Sequence, residues 1–234
     1  GTKYIMPSVI VTKDEIEQNN TYLLEMRDEY VKNLDFQMID PSQLKELSTH
    51  IIQDLFHANS SMAAMTAFAH AMSAVCIKVL EECPKNYKKS PVLWWWGGYG
   101  GGKTWLLEQM QYFYGDFSKA PTINARGSYK SKIAVCHHYR HAYMFYDDNK
   151  EALSKDSGND MKSFVQSAYD RNIISAMKRD GDLREKPTRA RGQVAITSED
   201  PLSNESSAIS RTISIDVDLA MDQEKGNRVL SKRH

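Results

Sequence analysis

Gly97-Gly98-Tyr99-Gly100-Gly101-Gly102-Lys103-Thr104 is the stretch that decides the fold of this 234-residue chain. It matches G-x-x-x-x-G-K-[ST], the pattern of a phosphate-binding P-loop. Five of the six residues before Lys103 are glycines, in a chain that contains only 12. Such a loop needs glycine because consecutive backbone N–H groups must turn inward toward phosphate oxygens, which requires positive φ angles or an unhindered backbone. The whole stretch is therefore predicted to bind a nucleotide.

Lys103 is predicted to place its ammonium against the phosphates, and the hydroxyl of Thr104 to ligate Mg²⁺. The run 92–96 before the loop is apolar and typical of a buried parallel strand, and Trp94 and Trp96 are expected in the core rather than stacked on bases. Residues 104–110 have helical apolar spacing. This order places a positive helix N-terminus under the phosphates. The competing interpretation is a glycine-rich turn that happens to precede Lys-Thr.

The composition is that of an ordinary globular protein, with 41% apolar and 26% charged residues. The three cysteines form no C-x-x-C pair, which favours reduced thiols and a cytoplasmic location. No apolar run is long enough to cross a membrane, and the first residues lack the layout of a signal peptide. The net charge of zero means that any contact with nucleic acid must come from a local feature.

The order of apolar and polar segments predicts an α/β fold. Residues 1–89 are expected to form a helical N-terminal region and linker, 90–220 the core, and 221–234 a tail or the start of a truncated lid. Strands separated by helices indicate a three-layer core around a parallel sheet. The expected helices span 13–30, 42–55, 62–82, 104–110, 132–140 and 161–177, and the expected strands span 92–96, 122–124, 142–146, 193–197 and 212–217.

A second motif lies at Tyr143-Met144-Phe145-Tyr146-Asp147-Asp148, an apolar strand that ends in two acids. This is the pattern of a Walker B motif, in which Asp147 would hold Mg²⁺ and Asp148 would orient the attacking water. The competing interpretation is a solvated pair of aspartates at the end of a strand.

Two further positions are candidate catalytic residues. Thr197 ends the next apolar strand, where nucleotide motors carry a polar sensor of the γ-phosphate between the P-loop and Walker B strands. Arg211, just before the last strand, is a candidate arginine finger that reaches the γ-phosphate bound to a neighbouring subunit. The competing interpretations are a strand-terminating threonine and a surface arginine in a salt bridge.

The order of these parts resembles the superfamily 3 helicases and the related AAA+ ATPases of phages, plasmids and integrated mobile elements. The resemblance is carried by Gly97 to Thr104, Tyr143 to Asp148, Val194 to Glu199 and Ser210-Arg211, and it covers roughly residues 90 to 220. It implies a P-loop core of the ASCE/AAA+ type. The sequence departs from the family at Thr197, where superfamily 3 helicases usually have Asn, and little chain follows the last strand to form a lid.

The resemblance further implies a homo-oligomeric ring, commonly a hexamer, with ATP and Mg²⁺ bound between subunits and single-stranded DNA in the central channel. Between Walker B and the sensor strand, such helicases carry a hairpin that projects into the channel. Here the segment 178–191 would be that hairpin, with Gly181 at its turn and DNA phosphates contacted by Lys178, Arg179, Arg184 and Lys186. The competing interpretation is a solvated surface hairpin whose acids offset part of the charge.

The sequence thus predicts an ATP-hydrolysing motor, a replicative DNA helicase-like ATPase of a phage or mobile element. One alternative is an AAA+ switch or loader that remodels a protein partner. Another is a P-loop kinase of small molecules, which the paired acids and the late arginine disfavour because they suit water better than an acceptor hydroxyl.

Overall fold

The computed structural model describes residues 4–5, 9–11, 16–18, 41–58, 61–84, 89–114, 128–139, 142–147, 155–176, 186–202 and 206–217. Its strands are β1 (Tyr4–Ile5), β2 (Val9–Val11), β3 (Ile16–Gln18), β4 (Val92–Trp96), β5 (Tyr143–Asp147), β6 (Ile174–Ala176), β7 (Lys186–Thr188), β8 (Gln193–Ser198) and β9 (Thr212–Asp216). Its helices are α1 (Pro41–Ala58), α2 (Ser61–Met72), α3 (Ile77–Glu82), α4 (Lys103–Tyr112), α5 (Tyr129–His138), α6 (Lys155–Asp170) and α7 (Ser206–Ile209), with a 3₁₀ turn at Ser73–Cys76. None of the described helices is long and apolar enough to span a bilayer.

The central sheet has four strands in the order β5-β8-β4-β9, and every neighbouring pair is parallel. The α/β fold expected from the sequence is confirmed. The strand that carries Thr197 lies between the P-loop strand and the strand that ends in Asp147, as expected. All carboxyl ends of these strands therefore meet at one edge of the sheet.

Helices cover both faces of the sheet. The ring of Tyr143 packs edge-on against His70 of α2, with 5.8 Å between the ring centroids. Tyr146, three residues later on the same strand, points to the other face. Its hydroxyl donates to the carbonyl of Lys132 on α5, and its ring packs 4.9 Å from that of Phe164 on α6. The core is thus three layers deep.

Because helices cover both faces of the sheet, tryptophans that point to opposite faces of β4 can both be buried. Trp94 is buried, as expected, but Trp96 is only partly buried. Trp95, which points to the opposite face, is buried completely. A strand buried on two faces carries apolar side chains without alternation, so the buried parallel strand expected here is confirmed, with Trp96 less buried than expected.

The region before the core contains both strands and helices. Helices α1, α2 and α3 agree with the helical prediction for that part of the chain. However, β1, β2 and β3 form an antiparallel meander, so the helix expected to start at Lys13 is wrong at Ile16–Gln18. Val11 pairs with Ile16 and Ile10 with Glu17. Pairing with a strand rich in β-branched residues overrides the weak helical preference of these few positions.

The helix expected at 161–177 ends earlier, at Asp170. Arg171 has a φ of 51°, a left-handed conformation that stops a helix. The chain then enters β6, which pairs antiparallel with β7 through Ile174 and Thr188 at one end and Ala176 and Lys186 at the other. A hairpin base therefore exists where a hairpin was expected, although residues 177–185 lie outside the described part, as does the strand expected at 122–124.

A buried polar network ties α2 to the amino-terminal edge of the sheet. The Gln193 side-chain amide donates to the Pro91 carbonyl at 3.1 Å and contacts Nε2 of His70 at 2.7 Å. The Ser90 hydroxyl donates to Oε1 of Gln193 at 2.6 Å. Burial lowers the pKa of His70 from 6.5 to about 4, because an imidazolium would lose its hydration here.

This pKa predicts a loss of stability in acid. Between pH 6.5 and pH 4 the unfolded chain binds a proton at His70 that the folded chain does not, so the free energy of unfolding falls as the pH falls. The full effect is about 3 kcal/mol. We expect His70→Gln, which cannot titrate, to remove most of this pH dependence in urea unfolding curves measured from pH 7 to 4. An unchanged slope in the variant would show that His70 is not the group responsible.

Candidate active site

The glycine loop between β4 and α4 adopts the backbone that its sequence predicts. Gly97, Gly100 and Gly102 have φ angles of 147°, 84° and 71°. A Cβ on Gly97 would lie 3.0 Å from the backbone carbon of Val217, so both conformation and space require glycine there. Gly102 precedes α4, and its carbonyl accepts from the N–H of Leu106 at 3.0 Å. The loop therefore opens directly onto the amino terminus of a helix, where an anion is favoured.

Lys103 is folded back onto this loop. Its Nζ donates to the carbonyl oxygens of Gly97 and Gly98, each at 2.7 Å. Burial lowers the pKa of Lys103, while the carboxylates of Glu199 and Asp147 act in the opposite direction. The ammonium thus contacts the carbonyls of the glycine loop and lies near the carboxylates of Glu199 and Asp147.

Asp147 is the centre of a cluster of oxygen atoms at the carboxyl edge of the sheet. It lies opposite Thr197 in the parallel register of β5 and β8. The Thr197 hydroxyl donates to Oδ1 of Asp147 at 2.5 Å, and the Thr104 hydroxyl lies 3.4 Å from the same oxygen. Three residues that are far apart in the sequence therefore meet directly below the glycine loop.

These oxygens fit a magnesium ion. Mg²⁺ takes hard oxygen ligands and is usually held by one or two protein groups together with water and substrate phosphates. Thr104 and Asp147 supply a hydroxyl and a carboxylate at the correct end of the loop. Within the described residues, no group of three His, Cys, Asp or Glu side chains could hold a metal alone.

Sequence reasoning missed two acids near this cluster. Burial, and secondarily the charge of Asp147, raises the pKa of Glu108 on α4. Glu199 directly follows β8 and acts electrostatically on Lys103. Glu108 lies four residues after Thr104, which places both on one side of a helix, so Glu108 could have been found from the glycine-loop motif. Glu199 could have been found because it lies two residues after Thr197, just past the end of β8.

Arg211 lies at the other edge of the sheet. Its carbonyl accepts from the N–H of Val92, the first residue of β4, whereas the glycine loop follows the last residue, Trp96. Strand β4 spans roughly 13 Å between these ends, at about 3.3 Å per residue. The side chain of Arg211 forms an ion pair with Asp170, at the opposite end of β4 from the glycine loop of its own chain. Any role of Arg211 at a phosphate must therefore concern another copy of the chain.

Asp148, Lys178, Arg179 and Arg184 lie outside the described residues, and Lys186 is described only as part of the backbone of β7.

Comparison with known proteins identifies the fold and no family. No protein-family model matches the chain, and no curated protein sequence is significantly similar to it. Among solved structures, it is similar to "SCCmec type IV Cch - active helicase", with a TM-score of 0.51 and 11% identity over 96% of this chain and 42% of that chain. A structure of JCV helicase in complex with a small molecule matches 75% of this chain and 52% of its own, at 12% identity and a TM-score of 0.34, too weak to argue from. The chain thus shares the fold of Cch and spans less than half of that protein's length.

The hydrogen bond between Thr197 and Asp147 should contribute to stability as well as to geometry. Replacing Thr197 by Val keeps the volume but leaves the carboxylate without this buried donor, which should cost about 1 to 2 kcal/mol. Thr197→Ser retains the hydroxyl and is the matched control. In urea unfolding, the free energy of unfolding of Thr197→Ser should be close to that of the wild type, and that of Thr197→Val should be lower than both. Equal stabilities of the two variants would contradict the assignment of this hydrogen bond.

Proposed function

We propose that this chain is the ATPase core of a helicase-type motor that hydrolyses ATP with Mg²⁺ and acts on single-stranded DNA as a ring, of the kind encoded by phages and mobile elements. The observation that carries the proposal is the convergence of Lys103, Thr104, Asp147 and Thr197 at one edge of a parallel sheet. The fold shared with Cch, an active helicase, favours a motor over a kinase of small molecules.

The loop would bind the triphosphate by an exchange of partners. The Gly97 and Gly98 carbonyls that now accept from Lys103 hold its ammonium within the loop, and phosphate oxygens would replace them as acceptors. A charge-assisted contact with a phosphate is stronger than a contact with a neutral carbonyl, so the exchange is favourable. The helix α4 that begins at Lys103 adds its positive end to the same site.

Thr104 and Asp147 would hold Mg²⁺, which offsets charge on the β- and γ-phosphate oxygens when it is bound. Thr197 keeps Asp147 in place because its donor hydrogen bond occupies Oδ1. Asp148, the next residue along the chain, is our candidate for orienting the attacking water. Each of these groups acts by position and charge, which is how phosphoryl transfer is catalysed in most P-loop enzymes.

A neighbouring subunit would complete the site. Arg211 lies at the amino-terminal edge of the sheet, opposite its own glycine loop, so its guanidinium can reach a γ-phosphate only across an interface between copies. This supports an oligomer with ATP between subunits, and a hexameric ring is the arrangement we propose. The hairpin that starts from β6 and β7 would carry the basic residues of 178–186 toward DNA in the channel.

Loss of the P-loop lysine should abolish hydrolysis. We expect the wild type to release inorganic phosphate from ATP several-fold faster with single-stranded DNA, and Lys103→Ala or Asp148→Asn to lower kcat by at least about 100-fold. The measurement is steady-state phosphate release, with each variant's folding checked by its urea midpoint. Asp148→Asn should still bind a fluorescent ATP analogue, because its role concerns the water and not the nucleotide.

Two results would contradict this function. Wild-type hydrolysis that is unaffected by DNA, together with no DNA binding, would favour a switch or loader that acts on a protein partner. Transfer of the labelled γ-phosphate to a small acceptor instead of water would identify a kinase.

The hairpin provides a separate test of DNA contact. Replacing Lys178, Arg179 and Arg184 together by Gln removes three positive charges, so the affinity for single-stranded DNA should fall at least about tenfold and depend less steeply on salt. ATP hydrolysis without DNA should stay within about twofold of the wild type, since none of these residues is among the groups proposed to hold ATP or Mg²⁺. If the affinity for single-stranded DNA is unchanged, the hairpin is a solvated surface hairpin that does not contact DNA.

A further inference from the structure

Arg211 belongs to a cluster of charged and aromatic side chains at the amino-terminal edge of the sheet. Its Nε lies 3.5 Å from Oδ2 of Asp170, and Nζ of Lys89 lies 3.7 Å from Oδ1 of the same carboxylate. The ring of Tyr169 lies under both cations, 5.7 Å from Cζ of Arg211 and 5.6 Å from Nζ of Lys89. Asp170 thus contacts each cation through a different oxygen.

Arg211 is held more firmly than a surface arginine. Its Nη1 donates to the carbonyl of Ser207. Its backbone N–H donates to the carbonyl of Ala208 at 3.0 Å, and its own carbonyl accepts from the N–H of Val92 at 3.1 Å. A free arginine side chain loses rotamer entropy when it is fixed. Here carboxylate, carbonyl and ring contacts have already restricted it before any partner arrives.

The segments that hold Arg211 are themselves fixed to each other. Tyr169 and Asp170 are the last residues of α6, and the carbonyl of Tyr169 accepts from the N–H of Ser90 at 3.2 Å. The amide of Gln166, one turn earlier, donates to the hydroxyl of Ser207 at 3.3 Å. The end of α6, the start of β4 and the turn that carries Arg211 therefore form one rigid support.

The Arg211 side chain nevertheless remains partly exposed. The Arg211 side chain is 26% exposed, and its Nη2 takes part in none of the contacts described above. A group that is fixed on one side and exposed on the other can approach a phosphate without first losing its own freedom, which is the advantage of preorganisation.

We propose that Asp170 and Tyr169 are positioning residues, which hold Arg211 in the orientation in which it reaches the γ-phosphate on a neighbouring subunit. This inference rests on the intersubunit ATP site proposed above and adds the device that aligns its arginine. Lys89 is peripheral: its side chain is 47% exposed, and exposed ion pairs contribute little.

The first test compares steady-state ATP hydrolysis of single variants. Asp170→Asn is close in shape to aspartate, and we expect it to lower kcat about tenfold while KM for ATP stays within twofold, because Arg211 is misaligned but the P-loop is intact. Arg211→Ala should lose at least about a thousandfold, the usual contribution of an arginine finger. Lys89→Gln, the matched control on the same carboxylate, should remain within about twofold. If Asp170→Asn and Lys89→Gln lower kcat equally, the cluster has only a structural role and the inference is wrong.

The second test uses mixed oligomers. Asp170→Asn subunits keep an intact P-loop, and Lys103→Ala subunits keep an intact Arg211 with its support. At interfaces between the two, a complete site is restored, so a mixture should hydrolyse ATP faster than the sum of the separate variants. If Asp170→Asn folds poorly by its urea midpoint, Asp170→Ser takes its place in both tests with the same expectation.

Different results would contradict the intersubunit site and the positioning role of Asp170. If Arg211→Ala mixed with Lys103→Ala shows no gain, the intersubunit site itself is wrong. If that mixture gains activity but Asp170→Asn alone is as active as the wild type, the intersubunit site stands and the positioning role of Asp170 is wrong.

Discussion

The parallel register of β5 with β8 is the constraint on which the candidate site depends. It places Thr197 opposite Asp147 near the carboxyl ends of the two strands, where the threonine hydroxyl donates to the carboxylate at 2.5 Å. The neighbouring register of β8 with β4 then fixes the glycine loop above them. A slip of one residue in a strand would turn its side chains to the opposite face and separate Thr197 from Asp147. The oxygen cluster is therefore a consequence of strand pairing and not of local sequence alone.

The candidate catalytic residues lie at two opposite edges of the same sheet. Lys103, Thr104, Asp147 and Thr197 lie at the carboxyl edge, whereas Arg211 and its support lie at the amino edge, roughly 13 Å away. Under the proposed function, one edge would hold most of a hydrolysis site and the other would hold the positive charge that completes it. Packing of identical copies, each edge against the opposite edge of the next, would bring the two parts together, which is the physical reason for proposing a ring.

How much the sequence could predict depended on the range of the interactions. The loop at Gly97, the helix after Lys103 and the strand ending in Asp147 are specified by adjacent residues, and all are found as expected. The end of α6 at Asp170 coincides with the left-handed conformation of Arg171, which no local sequence pattern predicts. The meander at β3 and the ion pair between Asp170 and Arg211 depend on partners elsewhere in the chain, and a single sequence does not reveal such partners. The roles given to Asp148 and to the basic hairpin stay predictions.

The central claim is that the glycine loop and the acids below it form one Mg-ATP site. The most direct measurement is a structure of the chain bound to Mg²⁺ and a non-hydrolysable ATP analogue. The account predicts that Nζ of Lys103 leaves the carbonyls of Gly97 and Gly98 for phosphate oxygens, and that Mg²⁺ lies beside Thr104 and Asp147 at about 2.1 Å from its direct oxygen ligands. A nucleotide bound elsewhere, or Lys103 still on the two carbonyls with the triphosphate present, would contradict it.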